Sequence, residues 1–335
     1  MIGMTTGIEW TDETWNPISG CSKVSEGCRN CYAERVSHRF GTTNKSWTNA
    51  NAAENVQLHP ERLDQPIRWR KPCKIFVNSM SDLFHEQVPD SFIDKVFAVM
   101  ALAHQHEFQV FTKRPGRMKT YMKSARVRIG AAIEEIAPAY RGYEVFADDV
   151  ATGACWPIPD IWLGVSVEDQ RAAEERIPLL LQTPAAVRFL SCEPLLGAVH
   201  LGSYLHVHGR ACYDDPGPCE GHPFLICDQH NELNWVIVGG ESGPGARPMH
   251  PDWARSLRDQ CAEAGIPFLF KQWGAWLPVE MTDKDFPATV ARTCLAGDGK
   301  SGDVGHWLKA GKKAAGRSLD GRIWDEYPQE ANVDD

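Results

Sequence analysis

Apolar and polar positions along this chain change period in a regular order. From Lys74 the stretch KIFVNSMSDLFHEQVPDSFIDKVFAVMALAHQHEFQVFTKRP runs as an apolar strand, a polar turn, an amphipathic helix from about Asp90 and a second apolar strand ending at Phe111. That order predicts a βαβ unit. Further strands are predicted at 161–165, 187–190, 235–238 and 267–270, with helices over 169–181 and 252–264. Upstream, 8–10 predicts a short strand, Trp15-Asn16-Pro17 a turn, 33–40 a helix and 56–58 a brief extended segment, with a short helix from Pro60 to about Gln65.

Such alternation predicts a parallel sheet with helices outside it. The number of units favours a complete or partial TIM-like (β/α) barrel over a doubly wound sheet. The barrel is expected over 1–280, with insertions at about 127–160 and 200–234 where the alternation breaks. An irregular, glycine-bearing extension at 281–335 is expected to cover the barrel mouth or fray. Barrels of this kind react at the C-terminal strand ends. Here those ends carry Asn78-Ser79-Met80-Ser81-Asp82, Thr112-Lys113-Arg114, Ser166-Val167-Glu168, Ser191-Cys192-Glu193, Gly239-Gly240-Glu241-Ser242 and Lys271-Gln272-Trp273.

Length and charge narrow the picture. A chain of 335 residues can bury a full core as one domain. Its net charge of -9 argues against wholesale electrostatic capture of nucleic acid and leaves only local basic patches. The N-terminal MIGMTTGIEWTDETWNP has neither a basic leader nor an apolar run, and no stretch reaches the roughly 18 apolar residues of a membrane span. A cytoplasmic protein without a membrane partner is expected. Eleven cysteines in such a chain point to reduced thiols and metal ligation more than to disulfides.

Three of those cysteines share one polar loop, GCSKVSEGCRNCY, in which Cys21, Cys28 and Cys31 are separated by six and two residues. Three thiolates are one short of a closed structural zinc site, whereas a [4Fe-4S] cluster held by three cysteines keeps one iron open for a substrate or cofactor. A zinc knuckle completed by a ligand such as His38 stays open as an alternative. Gly239 and Gly240 allow a flat ligand to approach the backbone, with Glu241 as an acceptor, and a plain tight turn explains them equally. The segment matches neither the dinucleotide fingerprint nor the P-loop.

Seven basic residues lie between Lys113 and Arg128 with no acid among them. Lys113, Arg114 and Arg117 are candidate phosphate contacts beside the mouth, and Lys271 and Trp273 a further cation and a stacking surface; a solvated helix face is the other reading of the basic run. The insertion holding His206, His208, Cys212, Cys219, His222, Cys227 and His230 is a candidate zinc site whose spacings match no standard finger.

GCSKVSEGCRNCYAER, NSMSDLFHEQVPD, FQVFTKRPGRM, WLGVSVEDQ, RFLSCEPLLG, WVIVGGESGPGARPMHPDWARSLRDQC and FLFKQWG together resemble, nearly end to end, the phage gene product 37/68 family of three-cysteine-motif proteins. That family is similar to a divergent branch of the radical S-adenosylmethionine enzymes related to spore photoproduct lyase. The usual radical motif spaces its cysteines by three and two residues, so the six-residue first gap departs from it. The resemblance implies a barrel of radical type, a [4Fe-4S] cluster on Cys21, Cys28 and Cys31, and S-adenosylmethionine cleaved to a 5'-deoxyadenosyl radical. It implies lyase-like repair of pyrimidine photoproducts in DNA, with an electron donor such as a flavodoxin or ferredoxin as partner. Ser79, Ser81 and Asp82 are then placed to receive the methionine amino group, and Ser166 and Glu168 the ribose hydroxyls. Cys192 becomes a hydrogen-atom donor at the mouth, with Glu193 and Glu241 as neighbouring catalytic groups; a buried apolar thiol is the plainer reading of Cys192. The alternatives are a zinc- or cluster-stabilised nucleic-acid-binding protein without radical activity and a radical enzyme acting on a small metabolite.

Overall fold

The computed structural model describes residues 6–139, 147–205, 232–281, 292–296 and 304–328. The first strand, β1 (Glu13–Trp15), is followed by a small antiparallel ribbon of β2 (Ile18–Ser19) and β3 (Gln57–Leu58). Then come β4 (Lys74–Val77), β5 (Glu107–Thr112), β6 (Ile161–Ser166), β7 (Val187–Cys192), β8 (Trp235–Gly239) and β9 (Phe268–Gln272). These six and β1 form one seven-stranded sheet in the order β1-β4-β5-β6-β7-β8-β9, with every neighbouring pair parallel. The sheet curls far enough for Trp10, ahead of β1, to meet Trp235 on β8 edge-on at 6.4 Å between ring centroids. The result is a partial barrel.

Each connecting helix follows from its sequence. The helix Asp90–Leu102 buries Phe92, Ile93, Val96, Phe97, Val99 and Met100 against the outside of the sheet. Gln170–Leu181 starts where the Asp169 carboxylate accepts the Ala172 amide at 2.8 Å. Pro251–Ala264 opens on a proline and ends at Gly265, whose φ of +69° is the left-handed conformation of a helix C-cap. The long helix Pro115–Ile136 runs through the start of the predicted 127–160 insertion and packs against Ala147–Thr152.

Two apolar layers lie on opposite faces of the sheet. Ile75, Val77, Phe108, Val110, Leu163, Val165, Leu190, Val236, Val238 and Phe270 face the helices. Phe76, Trp162, Phe189, Trp235, Ile237 and Leu269 face the interior. Gly164 makes room there, since a Cβ on it would lie 2.8 Å from the Phe189 ring. Toward the C-terminal strand ends the inward positions turn polar, at Asn78, Ser166 and Ser191, all buried.

The seam between β1 and β9, which do not pair among the described residues, is covered by the end of the chain. Phe270 donates its amide to the Trp324 carbonyl and Glu326 to the Phe268 carbonyl. Tyr327 packs on Trp235 at 5.0 Å, and Lys312 pairs with Glu9 at 2.9 Å. The predicted irregular extension thus contains structure: β10 (Trp276–Pro278), β11 (Arg292–Ala296) and β12 (Val304–Lys309) form a three-stranded antiparallel sheet. The predicted zinc insertion at 206–230 lies outside the described residues. Among the described residues, no helix is long and apolar enough to cross a membrane.

Candidate functional site

The cysteine loop is laid over the C-terminal strand ends by its first turn. Gly20 has φ +81° and passes so close to Asn55 that a Cβ would fall 1.8 Å from the Asn55 carbonyl oxygen. Its amide donates to the Met80 carbonyl, tying the loop to the turn after β4. Cys21, Cys28 and Cys31 then line one cavity of about 380 Å³ at the mouth, within the roughly 300–1,000 Å³ typical of small-molecule sites. All three thiols are free. Burial, with Asp82 adding to it, pushes the Cys21 thiol up to about 12. Burial also raises Cys31, and the amides of Glu34 and Ala33 in the following helix partly oppose it. Cys28 interacts electrostatically with both. Metal binding would displace these protons.

Beneath Cys21 sits Arg114. Its guanidinium pairs with Asp82 at 3.1 Å and Glu86 at 2.9 Å, donates to the Ser22 carbonyl at 3.1 Å and hydroxyl at 3.0 Å, and lies 3.6 Å from Cys21 Sγ. Asp82 also accepts the Thr112 hydroxyl at 2.7 Å. Arg114 is therefore buried in the support of the loop, which corrects its expected place on a phosphate-binding surface. Arg117 is likewise engaged, by the carbonyls of His85 and Val88 and by Asp90. Arg128 pairs with Asp94. Three of the seven basic residues, Arg114, Arg117 and Arg128, are thus paired with acids within the fold.

A second clamp comes from the glycine-bearing segment after β8. Glu241 accepts Arg247 through Nε at 2.9 Å, Nη2 at 2.7 Å and the backbone amide at 2.8 Å, and also Asn30 Nδ2 at 3.0 Å. Although burial favours the neutral acid, Arg247 and Asn30 hold the Glu241 carboxyl below the usual carboxylate range. Arg247 reaches on to the Glu26 carbonyl at 2.9 Å, and Arg35 donates to the Ser242 carbonyl at 3.2 Å. A Cβ on Gly243, whose φ is +90°, would strike the Arg35 guanidinium. This turn grips the cysteine loop.

Of the residues predicted for the site, Cys21, Cys28, Cys31, Ser79, Ser81, Asp82, Lys113, Arg114, Ser166, Glu193, Gly240, Glu241 and Lys271 line the cavity. The side chains of Ser79 and Ser81 are hydrogen-bonded to Asn16 and to the Ile18 carbonyl. Lys271 pairs with Glu193 at 2.9 Å. Gly239 packs below them, where a Cβ would lie 2.5 Å from Glu193 Oε1. Glu168 lies just outside, bridged to Arg176 at 2.8 Å; against the effect of burial, Lys113 and Arg176 lower its pKa. It underlies Gly27, which a Cβ would bring 3.1 Å from that carboxylate.

Two expectations are corrected. Cys192 is fully buried on the helix-facing side of β7, and burial, followed by its neighbour Cys261, holds its thiol well above its usual value. The residue facing the interior is Ser191, so Cys192 cannot hand a hydrogen atom to a ligand in the cavity. Trp273 is 1% exposed and donates its indole N–H to the Ser318 carbonyl at 2.8 Å, so it offers no stacking surface. Arg247 and Asn30 escaped notice because an exposed-looking Arg or Asn carries no sequence signal. Asn78 does leave a trace, as a polar residue ending a strand.

Among the described residues, no three His, Cys, Asp or Glu side chains converge tightly enough to hold one metal ion. A four-iron cluster asks for something different, because each cysteine ligates a separate iron around an open corner. Cys21, Cys28 and Cys31 line one cavity as free thiols. Residues 5–328 match the family described as "Protein of unknown function (DUF5131)", and the chain belongs to it. No curated protein and no solved structure matches the chain.

Proposed function

We propose that this member of the DUF5131 family is a cytoplasmic radical S-adenosylmethionine enzyme whose Cys21, Cys28 and Cys31 hold a [4Fe-4S] cluster. The observation that carries the reading is the meeting of three free thiols with polar strand-end residues in one cavity at the C-terminal end of a parallel, barrel-like sheet. Held by Cys21, Cys28 and Cys31, such a cluster would supply the one-electron reduction that radical cleavage of S-adenosylmethionine requires.

The chain's own residues position and exclude. Arg114 and the Glu241–Arg247 pair fix the loop from two sides. The Cys31 end of the loop opens the helix Tyr32–Arg39, whose N-terminus favours negative charge on a thiolate. Lys113 and the Lys271–Glu193 pair set the charge at the mouth. An electron donor such as a flavodoxin or ferredoxin is the partner this chemistry requires. Repair of pyrimidine photoproducts in DNA rests on the family resemblance. The internal engagement of Arg114, Arg117 and Trp273 favours the second reading, a substrate small enough to enter the cavity.

The test is anaerobic reconstitution followed by iron, sulfide and zinc assay and electron paramagnetic resonance of the reduced protein. A four-iron signal that shifts on adding S-adenosylmethionine and disappears in Cys28→Ala is expected. Zinc without a reconstitutable cluster would sink the radical mechanism in favour of a metal-stabilised binding protein.

A further inference from the structure

Deep in the same cavity lies a set of polar groups that neither clamp uses. Ser166 Oγ and Ser191 Oγ, the Asn78 amide nitrogen and oxygen, and Gln272 Oε1 are buried and have no hydrogen-bond partner in the protein. All four residues line the cavity and are at least nine-tenths buried. Ser166 and Ser191 are direct register partners on β6 and β7, both facing inward. Asn78 sits at the end of β4 with φ +62°, a left-handed conformation that asparagine adopts more readily than most residues with a Cβ, and its backbone amide donates to the Trp15 carbonyl at 2.8 Å.

Buried polar atoms without partners are costly, and a folded protein seldom keeps several together without a use for them. Below them is an apolar floor. Phe76 and Phe111 stack at 4.9 Å with an interplanar angle of 13°, and Trp10 lies 4.8 Å from Phe76. The Lys271–Glu193 pair is self-neutralised, so this part of the cavity selects no net charge.

We infer that Asn78, Ser166, Ser191 and Gln272, above the stacked Phe76 and Phe111 rings, recognise an uncharged planar heterocycle with N–H and C=O groups on its edge, the chemistry of a nucleobase. Asn78 supplies both a donor and an acceptor, Gln272 an acceptor and the serines either, while the aromatic floor takes the ring face. The inference names the substrate class of the proposed enzyme and rests on that reading for the substrate role, but the binding itself needs no metal.

The experiment is calorimetric titration with the common nucleosides, S-adenosylmethionine and a short single-stranded oligonucleotide. It is run on chelator-treated and on reconstituted protein, in wild type, Ser166→Ala and Ser191→Ala. At least one nucleoside is expected to bind, and each alanine to weaken it about 5–10-fold. Because alanine removes an unpartnered hydroxyl, both variants should melt at or above the wild-type temperature, which a merely structural serine would not do. The oligonucleotide arm tells whether a base is taken free or from a polymer. Absence of binding in both protein forms, affinity indifferent to the alanines, or a serine-dependent response to S-adenosylmethionine alone would overturn the inference. Failure of the cluster reading registers separately, as a missing four-iron signal.

Discussion

Replacing Arg247 with methionine asks whether the turn after β8 holds the cysteine loop in place. The substitution removes two side-chain bonds to Glu241, at 2.9 and 2.7 Å, and the bond to the Glu26 carbonyl at 2.9 Å. The Glu241 side chain is 5% exposed, so its charge stays buried with only Asn30 and one backbone amide as donors. Stripping one partner from a buried pair costs roughly 3–5 kcal/mol. Arg247 is 27% exposed and two donors remain, so the expected loss is about 2–3 kcal/mol. In a chain of 335 residues that corresponds to a fall of roughly 3–4 °C in melting temperature.

The pH dependence gives the sign. Since its partners hold the Glu241 pKa below its usual range despite burial, the pair's stabilisation is present above the unfolded carboxylate value of about 4.3 and fades as pH falls through the lower folded value. The gap between wild type and Arg247→Met should be full at pH 7 and close below about pH 4. Denaturant titrations at both pH values measure it. Iron retained after reconstitution should fall in the variant, and Glu241→Leu added to Arg247→Met should recover part of the stability because no buried charge is left. A variant within about 0.5 kcal/mol of wild type at pH 7, or a gap unchanged in acid, would refute the clamp.

Two further predictions separate support from chemistry. Arg114→Leu leaves Asp82 buried beside Cys21 without its cation, and should cost roughly 3–5 kcal/mol by denaturation; a phosphate-binding arginine would instead leave stability intact and reduce salt-dependent nucleic-acid binding. Cys192→Ala should cost about 1 kcal/mol and leave iron content unchanged, and alkylation of the native protein at pH 8 should spare Cys192 and Cys261, both fully buried with raised thiols, that of Cys261 to about 12.

How far the sequence reached is clearest at the strand ends. The helices Gln170–Leu181 and Pro251–Ala264 emerge within a residue of their predicted limits, because caps and a 3.6-residue apolar period are local signals. Strands were read short: β6 and β7 run on to Ser166 and Cys192, past the last apolar residue, because polar side chains at the mouth are still in register with their neighbours. The short strand predicted at 8–10 is no strand in the structure. Trp10 instead plugs the curled sheet's interior, and β1 forms at Glu13–Trp15, where the pairing with β4 lies. The partners of the seam, such as Trp324 and Phe270, are 54 positions apart, a pairing that no local pattern announces.

Cys192 shows why the rest was hidden. Period two puts Arg188 and Cys192 on one face of β7, and the structure keeps them there. Yet a parallel strand covered on both sides is apolar on both, so parity gives two sets of residues without saying which set faces the interior. That choice is made by long-range contacts: the Phe189 ring against Trp235 and Phe111 fixes the odd positions of β7 inward. Once Phe189 is inward, Ser191 must be too, and Cys192 must meet the helices. The same step brings Ser166 beside Ser191 and leaves both hydroxyls unpartnered inside the cavity, so the error over one cysteine and the appearance of the polar belt have a single cause.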